Sequence, residues 1–220
     1  MIEGISDAVQ LVVVAACFAL ALLRSLSTRN TTWLSLVCFF ACMLLGNAYW
    51  FGYLVVFGEA PRYSYIADLS WVAGYVFLLM IVVEADQQRG LTAPVPAAWL
   101  PVAFCAACCI FYIVDSGSPL LNIADNGLLA ALGFFAVRDI VAKPPSGEAS
   151  GGSRRIHLAY NKAFHWSLIA FIAVEQAVWL ASCFLEPGPI LVVDPYIVLS
   201  NVLTLSYVAI LACAWRSDEA

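Results

Sequence analysis

The sequence predicts an all-α integral membrane protein, a single polytopic bundle of about seven transmembrane helices that occupies residues 1–220. Of the 220 residues, 63% are hydrophobic and 11% are charged, whereas soluble domains carry about 25% charged residues. The mean hydropathy is +0.90. The apolar residues also fall into runs of about 20, the length that an α-helix needs to cross a bilayer. These features predict lipid as the main partner.

Short segments of turn-forming residues separate the apolar runs. They include 58–61, Pro94, Pro96, 116–119 and 186–189. The predicted spans are roughly 8–26, 33–57, 66–85, 97–114, 119–138, 163–185 and 195–215. Residues 1–7 contain two acidic and no basic side chains, so we expect no cleavable signal peptide.

The basic residues predict a topology with the N-terminus outside and the C-terminus in the cytoplasm. Nine of the ten lysines and arginines then face the cytoplasm, and only Arg62 lies outside. The nine are Arg24, Arg29, Arg89, Arg138, Lys143, Arg154, Arg155, Lys162 and Arg216. The outer side collects acidic residues, which attract cations and argue against nucleic-acid binding. We therefore predict a multi-pass protein of the plasma (inner) membrane.

The longest cytoplasmic loop is predicted at about 139–162. Its middle, 144–153, is rich in Pro, Gly and Ser, a linker composition that predicts mobility. Arg154 and Arg155 follow directly. They are either a contact for lipid headgroups or a partner, or a plain topology signal.

Three aspartates occur at related positions and suggest an internal repeat. Asp68, Asp125 and, more loosely, Asp194 follow similar apolar residues at the predicted starts of helices 3, 5 and 7. The pattern is either a three-fold hairpin repeat after helix 1 or a chance likeness of apolar sequences. The aspartates themselves either cap helix N-termini or bind a ligand or ion.

Glu175 is the most informative residue, because it lies deep within the sixth span. A carboxylate at that depth is costly and faces the bundle or a water-filled cavity. Polar and aromatic side chains recur at similar depth in other spans. We predict that they ring one outward-opening pocket for a small polar or cationic ligand; its members are Asn47, Asp68, Trp71, Tyr75, Glu175, Trp179 and Asn201. The alternative is interhelical hydrogen bonding without a ligand.

Other chemistries find little support in the sequence, and no cofactor is predicted. His157 and His165 are expected as interfacial histidines rather than haem ligands. Cys105 and Cys108 form a C-x-x-C that we interpret as packing residues. A retinal pigment needs a lysine in the last helix, and none is there. No nucleophile–base pair or metal cluster is visible, so an enzyme is the least favoured class.

One segment resembles a known family. The run 58–71, followed by Tyr75 and Leu78, is similar to a pattern in the multi-helix membrane input regions of bacterial diguanylate cyclase-type signalling proteins. The shared elements are Pro61, Ser64, Ala67, Asp68 and Tyr75, within about thirty residues. Those proteins carry a cytoplasmic catalytic domain after the last helix, whereas this chain ends at Ala220. The resemblance therefore implies a stand-alone or truncated input module, which either signals through a partner or does not signal.

Together these observations favour a bacterial membrane sensor or receptor-like module with an outward-facing pocket. The alternative is a small-solute transporter that uses Glu175 for proton or cation coupling.

Overall fold

The structure, a computed structural model, describes residues 2–58, 61, 65–89, 95–116, 119–141, 161–184 and 194–219. Within these ranges the chain forms seven long α-helices. They are α1 (Ile2–Thr28), α2 (Thr31–Phe57), α3 (Tyr65–Arg89), α4 (Trp99–Ser116), α5 (Pro119–Val141), α6 (Lys162–Phe184) and α7 (Pro195–Glu219), with a 3₁₀ turn, Pro96–Ala98, before α4.

All seven helices are long and apolar enough to cross a membrane. Their outer faces carry large apolar side chains that no part of the described bundle covers. Val114 is 82% exposed, Leu120 is 85% exposed and Leu26 is 68% exposed. In water such a surface would be an aggregation liability, but it matches a hydrocarbon environment. The prediction of a seven-helix membrane bundle is confirmed.

Six of the helices form a closed ring, in the order α1, α2, α3, α5, α6, α7 and back to α1. The remaining helix, α4, lies outside this ring and packs mainly on α5, with fewer contacts to α6. The helices follow one another around the ring in chain order, with one exception. Helix α4 lies outside the ring, so α3 is followed in the ring by α5.

The middle of the ring is filled by aromatic side chains. Phe39, Phe171 and Tyr207 contact one another, with ring centroids 5.8 to 6.2 Å apart. Tyr75 packs edge-on against Phe171 at 5.9 Å. All four side chains are at most 2% exposed, so this layer separates the two ends of the bundle.

Helix ends follow local capping chemistry. Asn30 caps α2 by accepting a hydrogen bond from the Thr32 amide at 3.0 Å, and Gly58 ends α2 in the left-handed conformation at φ 72°. Asp194 caps α7 by accepting from the Tyr196 amide at 2.9 Å, which confirms the capping interpretation there. Asp125 is the seventh residue of α5 rather than its cap, so the capping interpretation is wrong for it.

Two predicted boundaries also change. Helix α1 begins at Ile2 instead of near residue 8, so Asp7 lies on the helix. Helix α5 continues to Val141, so Asp139 belongs to it rather than to the loop predicted at about 139–162. The remainder of that loop, apart from Asn161 and Lys162, falls outside the described residues.

Candidate functional site

A cavity of about 180 Å³ lies in the half of the bundle that holds the N-terminus. Helices α1, α2, α3, α6 and α7 enclose it. We call it the aromatic cavity; it is lined by Asp7, Gln10, Asn47, Trp50, Trp71, Glu175, Val178, Trp179, Ser182, Tyr196, Ser200, Leu203 and Tyr207. Tyr196 begins α7 and Ser182 is near the end of α6, so the cavity reaches the helix ends at this face.

Glu175 lies at the inner end of the cavity and is only 6% exposed. Its Oε1 accepts a hydrogen bond from the Tyr75 hydroxyl at 2.7 Å and another from Trp179 Nε1 at 3.3 Å. Trp179 follows Glu175 by one helical turn, which places both side chains on one face. The other carboxylate oxygen, Oε2, is buried and has no hydrogen-bond partner among the described residues.

Asn47 and Trp71 form the opposite wall. Trp71 Nε1 donates to Asn47 Oδ1 at 3.3 Å. Because an indole can only donate, this bond fixes which end of the Asn47 amide faces Trp71. The Nδ2 group of Asn47 is then left buried, again with no partner among the described residues.

The indole of Trp71 fits because its neighbour on α2 is Gly46. A Cβ added at Gly46 would come within 2.4 Å of Trp71 Nε1. The glycine therefore lets the ring lie directly on the backbone of α2, beside Trp50, whose ring centroid is 6.2 Å away.

The described lining of the cavity is acidic in composition. It contains two acidic side chains, Asp7 and Glu175, and no lysine or arginine. Asp125 and Asp68 add to this, because Asp125 interacts electrostatically with both Glu175 and Asp68. Tryptophan and tyrosine rings make up much of the remaining wall, and their faces attract cations.

The residues predicted from the sequence separate into two groups. Asn47, Trp71, Glu175 and Trp179 line the cavity, and Tyr75 supports it through its bond to Glu175. Glu175 faces the bundle, as its depth predicts.

Asp68 and Asn201 do not belong to the cavity lining. Asp68 is buried in the first turn of α3. Asn201 is exposed; its amide donates to the Ile197 carbonyl at 2.8 Å, and its Oδ1 is 3.5 Å from Ser6 Oγ. The neighbour of Asn201, Ser200, lines the cavity instead.

Several lining residues were missed by the sequence reasoning. Ser200 donates to Gln10 at 3.3 Å and so joins α7 to α1. Asp7 was missed because the predicted first span began after it, and Gln10, although inside that span, was not recognised as a cavity residue. Tyr207 gave no signal, since a tyrosine in an apolar helix is also an ordinary core residue.

A second polar cluster lies at the opposite end of the bundle. We call it the ion-pair cluster: Asp86 of α3, Arg138 and Asp139 of α5, and His165 of α6. Arg138 Nε is 3.2 Å from Asp86 Oδ1, and His165 Nε2 is 2.9 Å from Asp139 Oδ2. Asp139 and His165 are 0% and 1% exposed. The cluster links α3, α5 and α6, as the sequence did not predict.

The interfacial role expected for His165 is therefore wrong. Its Nδ1 lies 3.0 Å from the carbonyl oxygen of Asn161, an acceptor, so Nδ1 carries a proton. Nε2 faces the carboxylate of Asp139. Asn161 extends the link to α7 by donating to the Cys213 carbonyl at 2.9 Å and to Ser217. His157 falls outside the described residues.

A neutral network holds α4 against the ring. The Tyr112 hydroxyl is 3.1 Å from both the backbone and side-chain carbonyl oxygens of Gln176, and Gln176 Nε2 donates to Asn126 at 3.1 Å. All three side chains are buried. This is the interhelical hydrogen bonding expected in a membrane bundle.

No group of three or more His, Cys, Asp or Glu side chains suited to a metal ion occurs within the described residues. The fold and cavity place the chain in the class of multi-pass helical membrane proteins. Comparison with protein families, curated proteins and solved structures found no match to this chain.

Proposed function

We propose that this protein is a membrane sensor or receptor-like module that binds a small ligand in the aromatic cavity and transmits the binding event to a cytoplasmic partner. The observation that carries this proposal is Glu175, a buried residue that lines the cavity and whose Oε2 has no partner among the described residues. If Glu175 only joined helices, both of its carboxylate oxygens would be hydrogen-bonded, because an unsatisfied polar group in a membrane interior is costly. A ligand supplies the missing partner.

The basic residues support the orientation of the proposal. With nine of ten lysines and arginines in the cytoplasm, the aromatic cavity opens outward and the ion-pair cluster lies at the cytoplasmic end. The bundle is then an inner-membrane protein whose ligand arrives from outside. The resemblance of residues 58–78 to cyclase input regions supports a signalling role for such a module.

The two polar clusters share helices, which supports transmission across the bundle. Helix α3 carries Tyr75 at the cavity and Asp86 at the ion-pair cluster. Helix α6 carries Glu175 and His165 at the same two levels. A ligand that withdraws Glu175 from Tyr75 changes the tie between α3 and α6, and each helix passes that change to its own ion pair.

Fluorine NMR of the tryptophans tests the proposal, because the seven tryptophans sample both ends of the bundle. Trp50, Trp71 and Trp179 line the cavity. Trp33 and Trp215 contact each other at the opposite end, with ring centroids 5.8 Å apart. The protein is labelled with 5-fluorotryptophan in nanodiscs and titrated with fractions of a bacterial metabolite extract; single Trp→Phe variants assign the signals.

We expect an active fraction to shift the cavity signals and also those of Trp33 and Trp215. In Glu175→Gln both responses should disappear. The matched control is Glu84→Gln, in the half of α3 away from the cavity, and it should keep both responses. Shifts confined to the cavity signals would contradict transmission. No shift from any fraction would contradict ligand binding.

A small-solute transporter is the second candidate. The observation that favours it is the closure of one end by buried ion pairs while the other end holds the cavity, as alternating access requires. The predicted hairpin repeat of helices 2–3, 4–5 and 6–7 is the sequence feature that also favours a transporter. Uptake of the active ligand into proteoliposomes, lost in Glu175→Gln, would favour this candidate over the sensor.

A further inference from the structure

We infer that the ligand of the aromatic cavity is a small organic ammonium ion that also carries a hydrogen-bond acceptor. This inference rests on the proposed function and names the class of its ligand. It combines the charge, the wall chemistry, the polar groups and the size of the cavity.

The charge of the cavity calls for a cation. Glu175 presents a buried oxygen without a partner, and no basic side chain lies in the described lining to neutralise it. Asp7 is also in the lining, and Asp125 interacts electrostatically with Glu175 from outside it. An anionic ligand would meet repulsion from each of these groups, and a neutral ligand would leave the carboxylate uncompensated.

The walls favour an organic cation over a metal ion. Calcium binds six to eight oxygen ligands, and magnesium needs a near-octahedral oxygen shell. This lining offers instead the rings of Trp50, Trp71 and Trp179, together with Tyr196 and Tyr207. Aromatic faces of this kind surround quaternary ammonium groups in known recognition sites.

The hydrogen-bond acceptor on the ligand is inferred from Asn47. Its Nδ2 is a buried donor without a partner among the described residues, and its Oδ1 is already used by Trp71. A ligand that fills the cavity while leaving this donor unmet would bind less well. A hydroxyl, ether or carbonyl oxygen on the ligand meets it.

The volume of the cavity limits the size of the ligand. A cavity of about 150 Å³ accommodates benzene, and the aromatic cavity measures about 180 Å³. It therefore suits a molecule of about seven non-hydrogen atoms. An ammonium group joined through a short chain to one oxygen has this size.

Three probes separate the effect of the positive charge from that of the hydrogen-bond acceptor. Choline carries a quaternary ammonium and a hydroxyl; 3,3-dimethylbutan-1-ol is its neutral isostere; tetramethylammonium has the charge without the hydroxyl. Binding is measured through tryptophan fluorescence on the protein in phosphatidylglycerol nanodiscs, which lack an amine headgroup. We expect choline to bind roughly tenfold to a hundredfold more tightly than the isostere, since the isostere loses the attraction to Glu175 and the cation–π contacts with the tryptophans. Tetramethylammonium should bind more weakly than choline.

Variants assign these differences to the cavity. Glu175→Gln should lose roughly tenfold or more in choline affinity while leaving the affinity for the neutral isostere unchanged. Glu84→Gln should match the wild type for both probes. A second set of nanodiscs contains phosphatidylcholine; weaker choline binding there would identify the lipid headgroup as a source of the same chemistry, and unchanged binding would identify a free solute.

The outcomes distinguish this inference from the proposed function. Equal affinity for choline and its neutral isostere would overturn the cationic class, and equal affinity for tetramethylammonium would overturn the acceptor. If no probe binds but a metabolite fraction still shifts the cavity tryptophans in a Glu175-dependent way, the class is wrong and the binding function stands. If no probe and no fraction acts, both are wrong.

Discussion

Replacing Asp139 or His165 offers the sharpest test of the packing at the end of the bundle opposite the cavity. The two groups are 2.9 Å apart and at most 1% exposed. Truncating one partner of a buried pair in a soluble protein costs about 3–5 kcal/mol, because the other is left uncompensated. Hydrogen bonds within membrane bundles average only about 0.6 kcal/mol, since the unfolded chain in the membrane finds other partners. For a charge-assisted pair this deeply enclosed, we expect about 3 kcal/mol for Asp139→Leu.

Two further variants separate the pair from mere volume. In Asp139→Asn the amide donates to Nε2 of a neutral His165, so the loss should be below about 1 kcal/mol. In the double variant Asp139→Leu with His165→Leu neither polar group remains, and most of the stability should return. Equilibrium unfolding in mixed micelles of dodecyl maltoside and sodium dodecyl sulfate measures all three free energies. A loss under about 0.5 kcal/mol in Asp139→Leu, or a double variant weaker than both single ones, would refute the reasoning.

Two other predictions concern the cavity wall and the topology. Gly46→Ala places a methyl group where Trp71 Nε1 lies 2.4 Å away; the indole must move into the cavity, which should weaken ligand binding and cost about 1–3 kcal/mol in unfolding free energy. Gly52→Ala, where an added Cβ meets nothing within 4 Å, is the control, and equal behaviour of the two variants would contradict the packing of Trp71. For topology, a reporter fused at Ser150 should signal from the cytoplasm and one fused at Gly117 from outside; the reverse pattern would invert the orientation.

The sequence predicted the fold well because hydropathy, turn residues and helix length are local properties. It also predicted that Glu175 faces inward, since a carboxylate at that depth has few alternatives. It was less accurate about helix rotation. Ser200 and Asn201 are adjacent, about 100° apart around α7, and only packing decides that Ser200 lines the cavity while Asn201 is exposed.

The ion-pair cluster escaped prediction for a different reason. The charges of Arg138 and Asp139 resembled the polar end of a span, so the predicted fifth span ended at Arg138 and the loop began at about Asp139. Their partners, Asp86 and His165, lie on helices far away in the chain. Pairing across such distances depends on which helices are neighbours, and the position of α4 outside the ring, which makes α3 and α5 adjacent, leaves no trace in hydropathy.

Helix α3 joins the aromatic layer, through Tyr75, to the ion-pair cluster, through Asp86, and this gives it the geometry of a lever. Tyr75 and Asp86 are eleven residues apart, about 16 Å along the axis. With the packed rings at Tyr75 and Phe171 as the pivot, a tilt of α3 by about 5° moves the Asp86 end by about 1.4 Å. The Arg138–Asp86 distance is 3.2 Å, so a displacement of that size is enough to break it. A ligand with only a few atoms could thus break a contact at the opposite end of the bundle by tilting α3 through a few degrees.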